Sequence, residues 1–142
     1  MKITIGRIDK ADFPELSLTE IDIKIDSGAY TSSIHCSNIK EITINKEKFL
    51  QFKLLDPEHN FYNNKEFSTK HYGSKLVKSS NGISEKRFMV ATEIIIFDQV
   101  FPIHLTLSER KNMKFPVLLG RKFLNKKFVI DTAKKNLSFK LK

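Results

Sequence analysis

The chain has 142 residues, 40% of them hydrophobic, with twelve Phe and no Trp, enough for one domain (residues 1–142) with a packed core. Its 25 Lys and Arg against 16 Asp and Glu give a formal net charge of +9, which favours anionic partners. A lone cysteine, Cys36, excludes an internal disulfide framework, the N-terminus turns polar too soon for a secretory leader, and no apolar run approaches the ~20 residues of a membrane span, so a cytoplasmic protein without membrane contact is expected.

Taken in chain order, the pattern is mostly strand. Lys2 to Ile8 alternates and reads as an edge strand, and Asp9 to Thr19 reads as a loop broken by Pro14. Ile21, Ile23 and Ile25 alternate with Asp22 and Lys24, the period of a half-buried strand. Asp26-Ser27-Gly28 follows, a turn by composition, because Asp and Ser bond nearby backbone and Gly tolerates positive φ. Thr31 to Ile34 is a short strand. Ile39 to Ile44 and Phe49 to Leu55 are two more, joined by a turn at Asn45-Lys46-Glu47. Asp56 to Asn64 is a loop and Phe67 to Val77 is ambiguous.

Ser79-Ser80-Asn81-Gly82 contains Asn-Gly, a strong hairpin signal. A long strand runs from Arg87 to Phe97, turns at Asp98-Gln99 and returns over Val100 to Leu107. Lys114 to Leu119 is a buried strand ending at Gly120. Arg121 to Leu124 begins the only short helix. Phe128 to Asp131 and Leu137 to Leu141 close the chain as a hairpin. Many short strands with close turn signals predict an all-β sandwich or small barrel.

Several chemistries lack their residues. There is no HExxH, no phosphate-cradling GxxxxGK and no GxSxG. The four histidines (His35, His59, His71, His104) are scattered and read as surface or half-buried residues. His35 and Cys36 are strand neighbours pointing to opposite faces, which is awkward for joint metal ligation. No metal site and no cofactor is expected. Cys36 reads as a small buried hydrophobe. The basic residues are dispersed in pairs such as Lys86-Arg87 and Lys134-Lys135, without a basic tail, so nucleic acid is not the expected partner.

The order that remains is a strand with Asp26-Ser27-Gly28-Ala29, a long hairpin, then Val117-Leu118-Leu119-Gly120-Arg121 and a short helix. This resembles a retropepsin-like aspartic protease subunit. More closely, it is similar to the family once labelled ATP-dependent zinc proteases, whose members often accompany an ATP-grasp ligase that adds glutamate to a ribosomal protein. The matching stretches include Lys24 to Ala29, Thr31-Ser32, Val77 to Gly82, Glu85 to Phe88, Thr106 to Arg110, Met113 and Phe115 to Arg121. Nothing in these residues supports the zinc or the ATP of the label.

The resemblance implies an all-β fold: a closed or partly open retropepsin-type barrel with one short helix near the C-terminus. It implies an aspartic endopeptidase in which Asp26 is the acid/base, Ser27 holds the carboxylate loop and Gly28 lets backbone approach. Ser79, Ser80, Asn81 and Gly82 would form a flap, with Arg87 as a substrate contact. Ala29, Leu118, Leu119, Gly120 and Arg121 would support the site. Two carboxylates must share a proton in this chemistry, and the chain has one such motif. A homodimer with Asp26 from each subunit is therefore expected.

The expected substrate is a peptide or protein, with glutamate-rich or ribosomal-protein tails as candidates. Lys78, Arg87 and Arg110 are candidates to bind its carboxylates, each having the alternative of an ordinary solvated strand residue or a local ion pair. The competing reading is a non-catalytic binding module on the same fold, for an acidic protein or ribosomal RNA. A zinc peptidase is a distant third.

Overall fold

The computed structural model describes residues 2–78, 82–109 and 114–142. Eleven strands are described: β1 (Ile3–Ile5), β2 (Ile8–Phe13), β3 (Leu18–Ile25), β4 (Ser32–Ile44), β5 (Glu47–Leu54), β6 (Glu66–Thr69), β7 (Gly73–Lys78), β8 (Ser84–Ile96), β9 (Gln99–Ser108), β10 (Val117–Leu119) and β11 (Phe128–Ile130). One short α-helix, α1 (Arg121–Leu124), follows β10, and single 3-10 turns occupy Pro14–Leu16 and Phe139–Leu141. The fold is all-β, as expected, with the one helix where the sequence places it.

Six strands close a ring in the order β10, β3, β2, β8, β9, β4 and back to β10. The seam between β2 and β8 is a single bridge, Asp12 to Ile95. β5 and β6 extend outward from β4, and β7 extends from β8. Inside the ring the period-two positions meet. Ile21 and Ile23 of β3, Ile94 and Ile96 of β8, and Leu105 of β9 are all essentially inaccessible. Burying side chains of this size supplies about 1.5–3 kcal/mol each against the unfolded chain.

Several elements differ from the sequence expectation, each for a physical reason. Asp9 to Thr19 is not a loop: Ile8–Phe13 is strand, and Asp9, Ala11 and Phe13 point inward. The alternation is hidden because one inward residue is charged. Asp9 is buried, and its carboxylate accepts the N–H groups of Lys10, Ser138 and Phe139 at 2.8, 2.9 and 3.1 Å.

That same carboxylate explains why Leu137 to Leu141 is no strand. Its amides are drawn into a 3-10 turn on Asp9, and β11 pairs instead in parallel with β1. The two expected strands at Thr31 to Ile34 and Ile39 to Ile44 are one, β4, with an irregular register between Ser37 and Lys40 where Asn38 has positive φ. The ambiguous Phe67 to Val77 splits into the end of β6 and most of β7. β10 covers only Val117–Leu119, after Pro116, which has no N–H to give a ladder.

Two hairpins follow the sequence signals closely. Ile44 faces Glu47 across Asn45-Lys46, and Ile96 faces Gln99 across Phe97-Asp98, with all four turn residues at positive φ. That is the two-residue turn matching strand twist. The second lies one residue earlier than expected. Among the described residues no helix is long and apolar enough to cross a membrane.

Candidate active site

β3 ends at Ile25, and β10 lies beside it in parallel with Leu119 opposite Ile25. β10 also pairs with β4 on its other side, Val117 to Ile34 and Leu118 to Ser33. The segment from Asp26 to Thr31 therefore bridges two strands that clasp the same short third strand. Asp26 N–H donates to the Leu119 carbonyl at 2.9 Å, and Ala29 N–H returns to the Asp26 carbonyl at 3.2 Å. The Asp-Ser-Gly turn read from composition is present, and it is anchored.

The carboxylate is held from within that turn. Gly28 N–H donates to Asp26 Oδ1 at 3.0 Å. A Cβ on Gly28 would sit 3.3 Å from the same oxygen, so a side chain there would crowd the carboxylate. Asp26 itself is half-buried, while Ser27 and Gly28 are exposed. The Ser27 hydroxyl bonds no described residue within the chain. It is the Ser27 carbonyl that is held, by Arg121 Nη1 at 2.9 Å.

α1 secures the far side of the loop. Arg121 N–H donates to the Ala29 carbonyl at 2.8 Å and Lys122 N–H to the Tyr30 carbonyl at 2.9 Å. Gly120 N–H donates to the Ser32 hydroxyl at 3.0 Å, and that bond is buried. A Cβ at Gly120 would lie 2.6 Å from the Thr31 carbonyl oxygen and 2.7 Å from that of Tyr30. Only glycine lets the helix start so close to the loop. Leu119 is fully buried under the turn, and Leu118 faces the cleft.

The cleft over Asp26 has a volume near 450 Å³. Its floor is Asp26, Gly28, Ala29 and Leu118; one side is the β7–β8 hairpin, through Lys75, Val77, Lys78 and Arg87. Among the described residues Asp26 is the only acid lining it, against three cations. Lys75 and Arg87 are direct cross-strand partners, an arrangement that like charges disfavour. Arg87 is only 11% exposed along its side chain, its nearest carboxylate is Glu85 at 3.6 Å, and its buried Nε has no hydrogen-bond partner among the described residues. Lys75 Nζ lies 4.9 Å from the Tyr30 ring centre.

The expected site residues thus divide clearly. Asp26, Gly28, Ala29, Leu118 and Arg87 share one cleft, and Ser27, Leu119, Gly120 and Arg121 form its frame. Gly82 lies beyond the arms of the hairpin, exposed, with φ of +83°. Ser79, Ser80 and Asn81 of the expected flap, and Arg110 and Met113, fall outside the described residues. Lys75, Tyr30 and Ser33 were not singled out from sequence. A two-residue turn at Asn81-Gly82 would set Lys75 opposite Phe88; the observed register, which sets it opposite Arg87, is one residue away from that expectation.

One histidine departs from expectation. His35 is 4% exposed rather than superficial; its Nδ1 meets the Ser108 carbonyl at 3.1 Å and its Nε2 meets Asp56 Oδ2 at 2.7 Å. The Ser108 carbonyl and the Asp56 carboxylate are both hydrogen-bond acceptors. Burial alone would raise the Asp56 carboxyl. The His35 hydrogen bond, the Glu58 N–H and the charges of His35 and His59 outweigh it and hold Asp56 below the ordinary carboxylate range. Cys36 is fully buried, as expected, and burial, with the Glu109 charge adding to it, pushes its thiol far above the ordinary range. Among the described residues, no three His, Cys, Asp or Glu side chains gather where they could hold a metal ion.

Comparison with known proteins places this arrangement. The family model described as RimB-like, retropepsin-like aspartic endopeptidase RimB, matches residues 4–140. Two curated relatives named probable alpha-L-glutamate ligase, from Shewanella pealeana and Desulfotalea psychrophila, are each 34% identical over 136 and 132 residues, 93% of this chain in both cases. A third of the same name, from Parasynechococcus marenigrum, is 28% identical over 134 residues. The chain spans only 28–29% of the length of these relatives. A crystal structure of Lpg0085 from Legionella pneumophila, a protein described as of unknown function, superposes with a TM-score of 0.69 at 26% identity, covering 97% of this chain and 99% of that one.

Proposed function

The chain belongs to the RimB-like family of retropepsin-like aspartic endopeptidases, and on that footing we propose that it is an aspartic peptidase acting as a homodimer on acidic tails. The observation that carries this reading is the cleft itself. A half-buried carboxylate on an anchored turn faces a hairpin that presents Lys75, Lys78 and Arg87.

One chain supplies one such carboxylate. In the proposed dimer two Asp26 side chains meet on the twofold axis ~3 Å apart, too close for both to ionise, so they share a proton. The ionised partner takes a proton from a water, whose oxygen attacks the scissile carbonyl. The protonated partner gives its proton to the carbonyl oxygen, and collapse returns a proton to the leaving amine. Gly28 N–H, which donates to Oδ1 of Asp26, would steady each carboxylate. The Ser27 hydroxyl, which bonds no described residue of its own chain, would then be available to the partner.

The substrate class follows from the charges. Among the described residues the buried Arg87 Nε–H has no partner, and leaving such a donor unsatisfied is costly. A substrate carboxylate would satisfy it and relieve the repulsion between Lys75 and Arg87. The relatives that contain this segment are named glutamate ligases, so chains of added glutamate are the natural acidic tails to test. The competing reading is a binding module that holds such a tail without cutting it, and the single carboxylate per chain is the observation in its favour.

The test is cleavage of oligoglutamate and of uncharged peptides by the wild type and by Asp26→Asn, with the mass of the assembly measured alongside. We expect a dimer that cuts the acidic peptide and a variant that does not, though it stays folded. Cleavage that survives Asp26→Asn would exclude the aspartic mechanism. Retained binding with no cleavage by the wild type would establish the binding module.

A further inference from the structure

We propose that a second cavity, walled by α1 and the β8–β9 hairpin, binds a small carboxylate carried on a single ring or a short branched chain. This inference does not depend on the peptidase reading. The cavity has a volume near 200 Å³ and is separate from the cleft over Asp26. A cavity of about 150 Å³ accepts benzene, so one ring-sized group fits here.

The lining fixes the chemistry. Met89, Ile103 and Phe123 give an apolar interior, and Ile103 and Phe123 are themselves buried. The polar residues around it are Thr31, Ser32, His104, Lys122 and Lys127, with no acid among the described lining. Lys127 Nζ donates to the Phe123 carbonyl at 3.0 Å, leaving two further protons. Lys122 is exposed and has no acidic partner among the described residues. An apolar group in the cavity would bring its carboxylate to these two ammonium groups, where charge-assisted bonds form. A neutral ligand of the same shape would lack that part of the interaction.

The position gives the cavity a route to the cleft. Thr31 lines both cavities. Lys122, through its N–H, also holds the Tyr30 carbonyl in the Asp26 loop. A ligand against Thr31 and Lys122 would therefore press on the wall that the Asp26 turn leans on.

The test uses the intact chain and needs no peptidase activity. Methyl and amide resonances are followed during titration with 3-phenylpropionate and, separately, with 3-phenylpropanol. We expect saturable shifts at Met89 and Ile103, with Thr31 following, and binding of the neutral alcohol at least about tenfold weaker, the factor that one lost charge contact gives. Lys122→Ala should weaken the carboxylate about tenfold without affecting the alcohol. Lys122→Glu, at the same exposed position, should abolish carboxylate binding. Shifts confined to Gly28 and Arg87, equal binding of acid and alcohol, or no saturation would each overturn the proposal.

Discussion

Arg121 and Ser27 stand 94 positions apart, and the guanidinium of the first holds the carbonyl of the second at 2.9 Å. Since Ser27 follows Asp26 directly, this bond positions the carboxylate turn from outside. It is solvent-exposed, so removing it should cost at most about 1 kcal/mol of stability. In the peptidase proposed above its effect on chemistry should be larger, because small misplacements of a reacting group are expensive. Arg121→Ala should lower kcat about tenfold or more with KM little changed and the melting temperature nearly constant. An unchanged kcat would show that the turn holds its place without the arginine.

Gly120 is the tightest approach in the site. Its would-be Cβ overlaps backbone oxygens of Thr31 and Tyr30, which have no flexible end to swing away. Gly120→Ala should destabilise by about 2–3 kcal/mol, the range for overpacking, read as a shift in urea midpoint. A variant as stable as the wild type would mean that α1 can back away from the loop.

The His35–Asp56 pair carries a pH dependence whose sign is fixed. Asp56 titrates below its ordinary 3.8 in the folded chain, so the unfolded chain binds its proton more readily. The stabilisation is therefore full above 3.8 and fades as pH falls through the lower folded value. At neutral pH the wild type should exceed Asp56→Asn by about 1–2 kcal/mol. That gap should shrink when unfolding is repeated below 3.8. A gap that is constant with pH would remove the ionised carboxylate from the account.

Arg87 tests the acidic substrate separately from the mechanism. Arg87→Lys keeps the charge but loses the planar fork. On oligoglutamate kcat/KM should fall about tenfold, the scale of one charge-assisted bond, with an uncharged peptide unaffected. Equal losses on both peptides would mean that Arg87 shapes the hairpin and not the substrate.

Cys36 should be inert while the chain is folded. Burial keeps its thiol protonated, and the thiolate is the reactive form. A thiol reagent should label it only after denaturant is added. Fast labelling of the native protein would show that β4 and β5 open readily where Cys36 faces Leu54.

Much of this was legible in the sequence because the relevant signals are local. Ile21, Ile23 and Ile25 announce β3 by alternation, Asp-Ser-Gly announces its turn, and Leu-Leu-Gly-Arg announces the end of β10 and the start of α1. What the sequence hid depends on distant partners. Asp9 breaks the alternation of β2 and is tolerable inside only because the amides of Ser138 and Phe139 come to it. His35 is buried only because Asp56 and the Ser108 carbonyl are there to receive it. The facing of Lys75 and Arg87 needed the hairpin register, which neither residue type reveals alone.

The three residues of β10 have a consequence for how the molecule is made. They are the strand that joins β3 to β4, and they are synthesised long after both. Until Leu119 leaves the ribosome, β3 and β4 each keep an edge without its final partner, the kind of edge that invites pairing with other chains. The Asp26 turn likewise waits for the Leu119 carbonyl and the Arg121 side chain. A nascent chain should therefore be inactive up to that point, and a truncation just before β10 should aggregate without cutting anything.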